Sequence, residues 1–122
     1  MKNILIVDDD PVISSLLKSF LALKKYNVEC VTTGIDALNA LVRGSFDVVI
    51  TDMKMHGMGG GELIKKMIRI QSSIKLIAMS GDTSFDKLSP DLKETIPLLR
   101  KPFRLQEVEK LILKLSSNDN EG

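Results

Sequence analysis

The sequence is poor in features that mark several large classes of protein. It has one cysteine in 122 residues, which excludes an internal disulfide, and Cys30 lies in an apolar strand pattern typical of a buried structural thiol. No apolar run approaches membrane-spanning length, and the N-terminus lacks the apolar core of a signal peptide. We therefore expect a soluble, unexported protein in a reducing, cytoplasmic compartment.

The sequence also lacks an excess of charge of either sign. Seventeen Lys and Arg residues are set against sixteen Asp and Glu residues, which leaves a formal net charge of +1. Non-specific binding to nucleic acid or to a membrane surface needs a basic excess. We expect no direct nucleic-acid binding and no membrane association. The length suits one domain that can bury its own core.

What the sequence does contain is a regular alternation of strand and helix patterns. Apolar runs predict strands at 4–7, 28–32, 48–51, 74–79 and 96–99, and a helical or turn segment follows each of them. A (βα)5 order of this kind predicts an α/β fold with a parallel sheet between two helical layers. The most continuous apolar strands should be central, and the more mixed second and fifth strands should lie at the edges. The expected architecture is the flavodoxin-like three-layer sandwich with strand order 2-1-3-4-5.

Two segments give weaker patterns. In 84–95 the apolar residues are spaced for one helix, but Pro90 interrupts the pattern, so one helix and two short turns both stay open. After Ser116 the composition turns polar, so we expect the domain to span 1–116 and the tail 117–122 to fray. The end of that tail has the composition of a cloning remnant. The chain is then either a free-standing protein or a domain cut from a longer one.

Polar side chains follow four of the predicted strands at the point where each strand ends. Asp8 and Asp9 follow the first strand, Asp52 the third, Ser80 the fourth and Lys101 the fifth. The carboxyl ends of parallel strands meet at one edge of the sheet, so these side chains should share a crevice. Each one alone has an ordinary structural explanation, such as a turn cap or a surface ion pair. Their occurrence together favours a functional site.

The chemistry of that set favours phosphoryl transfer. Three carboxylates in one crevice repel each other unless a cation is shared. Mg²⁺ suits them, because it prefers oxygen ligands, keeps several waters and leaves positions for a phosphoryl oxygen. Lys101 adds a positive charge and Ser80 a hydroxyl donor. A carboxylate surrounded by these groups is predicted to be the nucleophile, and Asp52 is the central candidate.

The same residues resemble the response-regulator receiver domain of two-component signalling, of the chemotaxis-regulator type. The motifs are Asp8-Asp9, Asp52, Ser80-Gly81 and Lys101-Pro102-Phe103, in that order, and the resemblance covers about residues 2–116. It implies that Asp52 accepts a phosphoryl group from the phosphohistidine of a sensor histidine kinase or a phosphotransfer protein. The protein would then be a signalling switch rather than a conventional enzyme. It would catalyse only its own phosphorylation and dephosphorylation, and only weakly.

The resemblance implies a ligand set for the metal. Asp9 and Asp52 would bind Mg²⁺ directly, together with the main-chain carbonyl of Lys54, and Asp8 would bind through water. Lys54 and Asp82 lie two residues beyond Asp52 and Ser80, positions that border the phosphoryl group in the family.

The resemblance also implies how the switch works. Ser80 and Lys101 would contact the aspartyl phosphate, Gly81 would leave room for it, and the Lys101-Pro102 peptide would be cis. A surface made by the fourth helix, fifth strand and fifth helix would then bind a downstream effector. The protein would be a monomer or a phosphorylation-promoted dimer.

Three positions depart from the family pattern. Leu98 stands where an aromatic residue is usual, which puts aromatic rotamer switching in doubt, and His56 replaces a common proline. A loop histidine beside glycines is more often solvated than bound to metal or phosphate. Gly59-Gly60-Gly61 predicts a mobile loop and a weak start to the third helix.

Other functions remain as alternatives. One is a receiver-like interaction module that is not phosphorylated, although such a module need not keep all five site residues. An aspartate-nucleophile phosphohydrolase would carry its nucleophile after the first strand, and a flavodoxin would carry a phosphate-binding loop there. This sequence instead isolates its candidate nucleophile, Asp52, on the third strand, and no hydroxyl- and glycine-rich phosphate-binding loop follows its first strand.

Overall fold

A single parallel sheet forms the centre of the molecule. A computed structural model describes residues 2–55 and 57–120, with side chains up to Ser116. The strands are β1 (Asn3–Val7), β2 (Asn27–Val31), β3 (Val48–Asp52), β4 (Lys75–Ser80) and β5 (Leu98–Arg100). They are ordered β2-β1-β3-β4-β5, and each neighbouring pair is parallel. The predicted flavodoxin-like order is therefore confirmed.

Helices cover both faces of the sheet. They are α1 (Pro11–Leu23), α2 (Gly34–Arg43), α3 (Gly60–Ile70), α4 (Pro90–Thr95) and α5 (Leu105–Asn120), with one 3₁₀ turn at Ser84–Lys87. Apolar residues of α1 and α5 pack on one face, and those of α2, α3 and α4 pack on the other. Within the part of the chain that the structure describes, no helix has both the length and the apolar character needed to cross a membrane.

Buried apolar residues form two clusters, one on each face of the sheet, and these explain why the central strands are continuously apolar. Along β1, Leu5 and Val7 belong to one cluster, while Ile4 and Ile6 belong to the other. Because successive side chains of a strand point to opposite faces, a central strand covered on both faces must be apolar throughout. The five residues of β3 are all buried, whereas β2 at the edge has none that is fully buried.

Local side-chain contacts fix the start of the first two helices. The carboxylate of Asp10 accepts a hydrogen bond of 2.9 Å from the Val12 amide, and Pro11 occupies the first turn of α1. At the start of α2, the Thr33 hydroxyl accepts a hydrogen bond of 3.0 Å from the Asp36 amide. An N-cap of this type satisfies amides that have no partner inside the helix. Asp10 therefore has a structural role as the cap of α1, and it differs in that respect from its two acidic neighbours.

Several element boundaries differ from the predictions. β5 begins at Leu98, two residues later than expected, because the Ile96 amide donates to the carbonyl of Leu92 and so closes α4. The segment 84–95, for which one helix and two short turns were both open, forms two short pieces, with Pro90 at the start of the second. Helix α5 continues to Asn120, past the predicted limit at Ser116, since no glycine or proline interrupts it. The division into a domain and a tail stays a prediction.

The environment of Cys30 agrees only in part with the buried thiol expected from the sequence. Cys30 is partly rather than fully buried, and its thiol donates to the carbonyl oxygen of Ser14 at 3.8 Å. Burial raises the pKa of Cys30, and the charge of Lys18 opposes this effect only in part. The thiol therefore stays protonated, as expected for an unreactive cysteine. The expectation for His56 lies outside the described residues.

Gly60 allows the close approach of the loop after β3 to the start of α3. A Cβ atom at Gly60 would lie 2.7 Å from the carbonyl oxygen of Met53 and 2.9 Å from its Cα atom. A backbone cannot move aside as a flexible side chain can. At Gly61, a Cβ atom would meet only the end of the Leu88 side chain, at 3.2 Å.

We expect Gly60→Ala to lower the free energy of unfolding by about 1–3 kcal/mol, the usual cost of overpacking. The gain in helix propensity, about 1 kcal/mol, offsets only part of the strain. Gly61→Ala is the matched control in the same helical turn and should stay within about 0.5 kcal/mol of the wild type. Urea unfolding followed by circular dichroism measures both. Equal stability of the two variants would contradict the packing explanation.

Candidate metal and phosphoryl site

Asp8, Asp9 and Asp52 lie together where β1 and β3 end. One carboxylate oxygen from each residue lies within 4.8 Å of those of the other two. The arrangement follows from the sheet, because β1 and β3 are neighbours and Val7 is paired with Thr51. The next residue of each strand is an aspartate, so both carboxylates emerge side by side. The structure thus brings together the three acids that the sequence placed at strand ends.

The three carboxylates differ in their surroundings. Asp8 has no exposed surface, Asp52 is 6 % exposed, and Asp9 is the most exposed of the three. Burial raises the pKa of Asp8, and the charge of Asp52 raises it further. The hydrogen bond of 2.9 Å from the Asp10 amide and the charge of Lys101 both act in the opposite direction. Asp8 is therefore a buried acid whose ionised form needs help from its neighbours.

Lys101 provides that help by bridging two of the acids. Its Nζ atom lies 3.3 Å from Oδ2 of Asp8 and 3.2 Å from Oδ2 of Asp52. Burial alone would lower the pKa of Lys101, but the attraction of Asp52 and then of Asp8 raises it overall. The residue is held in place because its amide donates to the Ser80 carbonyl at 2.9 Å. The following peptide bond, Lys101-Pro102, is cis, as the family resemblance implied.

The main chain of the loop after β3 also contacts Asp52. The Lys54 amide donates to Oδ1 of Asp52 at 3.3 Å, so the two carboxylate oxygens face different donors. This contact places the Lys54 backbone beside the acid cluster. A role for its carbonyl oxygen as a metal ligand stays a prediction.

Ser80 ends β4 at the same edge of the sheet, and its hydroxyl is hydrogen-bonded to Asp82 rather than to the three clustered acids. It is 1 % exposed, and its Oγ atom lies 3.0 Å from the carbonyl oxygen and 3.2 Å from Oδ1 of Asp82. Among the described residues, all hydrogen bonds of this hydroxyl are made with Asp82. In this structure Ser80 is close in the fold to Asp52 without being its partner.

Asp82 is the site residue whose contacts the sequence did not predict. Its Oδ1 atom accepts a hydrogen bond of 2.8 Å from the Ser84 amide, and its Oδ2 atom lies 3.5 Å from Nζ of Lys54. The hydrogen bonds with Ser84, followed by the one with Ser80, lower the pKa of Asp82 below its usual range. An aspartate followed after two residues by the start of a helical turn is a sequence signal for the Ser84 bond. No local signal indicates the contact with Lys54.

The donor set fits a hard divalent cation. Three carboxylates supply oxygen ligands, and a single lysine does not balance their charge. Mg²⁺ and Ca²⁺ prefer such ligands, and Mg²⁺ in particular is held by a few carboxylates together with water. The arrangement can also carry a reaction at Asp52, because one buried carboxylate lies next to both a cation and a candidate metal site.

Comparisons with known proteins agree with this arrangement. A family model described as the response regulator receiver domain matches residues 4–113. The sporulation initiation phosphotransferase F of Bacillus subtilis is 34 % identical over 122 residues, which cover 96 % of this chain and 98 % of that protein. A receiver domain protein from Clostridium thermocellum superposes with a TM-score of 0.88, at 26 % identity and 98 % coverage of both chains.

A second solved structure was determined with a bound ion. The response regulator protein TrrA from Thermotoga maritima, in complex with Mg²⁺ and BeF, superposes with a TM-score of 0.83. It is 29 % identical, and the match covers 94 % of this chain and 99 % of that one.

We expect Asp9→Asn to stabilise the protein in the presence of a metal chelator. Asp9 contributes a charge to the cluster but does not share Lys101, so its loss relieves repulsion without breaking an ion pair. Two like charges about 4 Å apart repel by about 1 kcal/mol in water and more in a partly buried site, so a gain of about 1–2 kcal/mol is expected. Urea unfolding in EDTA measures this gain.

Asp10→Asn is the control for that experiment. It removes the same charge from the adjacent residue while keeping an acceptor for the helix cap. Its stability should stay within about 0.5 kcal/mol of the wild type. If Asp9→Asn is no more stable than Asp10→Asn, then repulsion within the cluster is not what limits the metal-free protein.

Proposed function

The chain belongs to the response regulator receiver domain family, and from this we propose that it is a phosphorylation-dependent signalling switch with Asp52 as the phosphoacceptor. The observation that carries the proposal is the convergence of Asp8, Asp9 and Asp52 with Lys101 at one edge of the sheet. A lone carboxylate is a common feature of loops. Three clustered carboxylates, two of which share one lysine, at the carboxyl ends of parallel strands are not explained by the needs of the fold.

Asp52 suits the role of nucleophile. A carboxylate oxygen of Asp52 attacks the phosphorus atom of a phosphohistidine, the phosphorus–nitrogen bond breaks, and the freed imidazole takes up a proton. The product is an aspartyl phosphate, which water later hydrolyses. Because Asp52 is 6 % exposed, its reacting oxygen is already partly stripped of water before the donor arrives.

The acids of the site would hold Mg²⁺ during this reaction. Asp9 and Asp52, the main-chain carbonyl of Lys54 and, through water, Asp8 form the proposed ligand set. A bound magnesium ion supplies positive charge for the oxygens of the transferring phosphoryl group. The magnesium complex of the Thermotoga maritima protein supports this choice of ion.

Lys101 and Ser80 are proposed to detect the phosphoryl group. A phosphoryl group adds close to two negative charges and several acceptor oxygens. Lys101 already contacts Asp52, so it can contact a group attached to that residue with little movement. The Ser80 hydroxyl would first have to leave Asp82. A charge-assisted hydrogen bond contributes about 1.5–3 kcal/mol, enough to shift two conformations that differ by a few kcal/mol.

The proposed partners follow from the phosphoryl relay. A sensor histidine kinase or a phosphotransfer protein would donate the group, and a downstream effector would bind the face of α4, β5 and α5. That face has a cleft of about 440 Å³, lined by Phe85, Leu98 and Leu111 among others. Because residue 98 is leucine and not an aromatic residue, we expect a phosphorylation-dependent change at this face to come from movement of the loop and not from rotation of an aromatic side chain. The cytoplasmic location and the monomer or phosphorylation-promoted dimer remain predictions.

Asp52→Asn should abolish phosphorylation, since an amide oxygen is a poor nucleophile. The protein is incubated with Mg²⁺ and a small-molecule phosphodonor, and the intact mass is then measured. We expect the mass of one added phosphoryl group on the wild type and none on the variant.

Asp47→Asn is the control. Asp47 precedes β3 at the amino ends of the strands, away from Asp52, and its carboxylate accepts a hydrogen bond from the Asn3 amide. It should be labelled like the wild type. Labelling that persists in Asp52→Asn would move the acceptor to another residue. A wild type that takes up no phosphoryl group would favour the alternative, a receiver-like interaction module.

Lys101→Ala should separate metal binding from switching. The variant keeps all three acids, so we expect Mg²⁺ binding to be retained, while the conformational response to beryllofluoride should be reduced at least several-fold, as expected for the loss of a charge-assisted contact. NMR chemical shifts of the amides in β4 and β5 report the response, and a Mg²⁺ titration reports binding. An undiminished response would remove Lys101 from the mechanism.

A further inference from the structure

We propose that Asp82 is a positioning residue that holds the Ser80 hydroxyl in its resting place, as a latch that the phosphoryl group on Asp52 must displace. The inference rests on the proposed function of Asp52. It adds a specific source of resistance to switching, located in the loop after β4.

The latch is visible in the hydrogen bonds of Ser80. Its hydroxyl has one hydrogen atom, and the acceptors within reach are the carbonyl oxygen of Asp82 at 3.0 Å and its Oδ1 atom at 3.2 Å. The Asp82 amide in turn donates to Ser80 Oγ at 3.3 Å. While this arrangement persists, the donor hydrogen of Ser80 is occupied. A phosphoryl oxygen can receive it only after the contact with Asp82 is broken.

Asp82 is itself fixed by two further contacts. Its Oδ1 atom accepts from the Ser84 amide at 2.8 Å, which ties the carboxylate to the start of the 3₁₀ turn. Its Oδ2 atom lies 3.5 Å from Nζ of Lys54, which ties it to the loop after β3. The Ser84 bond is short and charge-assisted, so it is the stronger of the two. The Lys54 side chain is 81 % exposed, and an ion pair of that kind contributes little by itself.

These contacts join the two loops that border Asp52. The Lys54 amide donates to Asp52, and the Lys54 ammonium group reaches Asp82. Asp82 in turn holds Ser80 at the end of β4. A ligand shifts a conformational equilibrium only by the difference between its contacts in the two states. The contacts of Asp82 belong to the resting state. The free energy of breaking them therefore reduces the net free energy by which a phosphoryl group would favour the switched state.

The test measures the affinity for beryllofluoride in the presence of saturating Mg²⁺, with two substitutions that separate geometry from charge. Asp82→Asn keeps an acceptor oxygen in place but removes the charge. Asp82→Glu keeps the charge but displaces the carboxylate by one methylene group. A latch predicts tighter binding for Asp82→Glu, by about three- to tenfold, and near wild-type binding for Asp82→Asn.

The opposite pattern would overturn the proposal. If Asp82→Asn binds beryllofluoride more tightly and Asp82→Glu does not, then Asp82 acts through charge repulsion and not by holding Ser80. Asp82→Ala, which removes both properties, should bind more tightly than Asp86→Ala, an exposed acid of the same segment. Equal affinities for these two variants would also overturn the latch, while tighter binding by both Asp82→Ala and Asp82→Glu would support it.

A second measurement examines the resting state directly. The Ser84 amide and the side-chain torsion of Ser80 are followed by NMR without any ligand. Both should change in Asp82→Glu and stay close to the wild type in Asp82→Asn. An unchanged Ser80 torsion in Asp82→Glu would show that Asp82 does not hold the hydroxyl.

These outcomes are distinct from a failure of the proposed function. If the wild type binds no beryllofluoride with Mg²⁺ present, then Asp52 is not a phosphoacceptor site and the latch falls with it. If the wild type binds and the Asp82 variants match the wild type, only the latch is wrong.

Discussion

The ammonium group of Lys101, shared between Asp8 and Asp52, is the interaction on which the arrangement of the site depends. Two buried carboxylates at adjacent strand ends would otherwise repel each other with little water to screen them. One lysine cannot neutralise three acids, so the metal-free site retains negative charge. That imbalance is expected to cost stability, and it is also the property by which the site would attract the proposed divalent cation. Under the proposed function, the fold keeps a locally unfavourable cluster because a bound cation would neutralise it.

The sheet explains why five residues distant in sequence meet. In a parallel sheet with order 2-1-3-4-5, the carboxyl ends of β1 and β3 are adjacent, and those of β4 and β5 follow on the same side. Apolar continuity of the strands predicted which of them are central, since a strand buried on both faces cannot alternate, whereas the full order came in part from the family resemblance. The polar residues that interrupt each run then mark the functional edge. The strands and the candidate site could be predicted from one feature of the sequence: burial requires apolar residues along each central strand, and polar residues appear where the strand leaves the core.

Other features depended on contacts that no local pattern contains. The sequence Gly59-Gly60-Gly61 predicted mobility, whereas the structure gives Gly60 a packing reason, the nearby backbone of Met53. Ile96 was predicted to begin β5 because it starts an apolar run, but its amide donates instead to the carbonyl of Leu92 at the end of α4. The contacts of Asp82 were missed for the same reason. Its ion pair joins residues 54 and 82, and only the folded sheet brings these two loops together.

Under the proposed function, the resting and phosphorylated states would compete for the same few hydrogen-bond donors. Lys101 is engaged by Asp8 and Asp52, and the Ser80 hydroxyl is engaged by Asp82. The proposed phosphoryl group on Asp52 would recruit Lys101 at small cost, because the lysine is already beside it. Recruiting Ser80 would first require breaking its hydrogen bonding to the carbonyl oxygen and Oδ1 of Asp82. A neutral hydrogen bond contributes about 0.5–1.5 kcal/mol, and one to a charged group contributes more. The two donors should therefore respond unequally, with Lys101 setting how firmly the phosphoryl group is held and Ser80 setting how completely the fourth strand end moves.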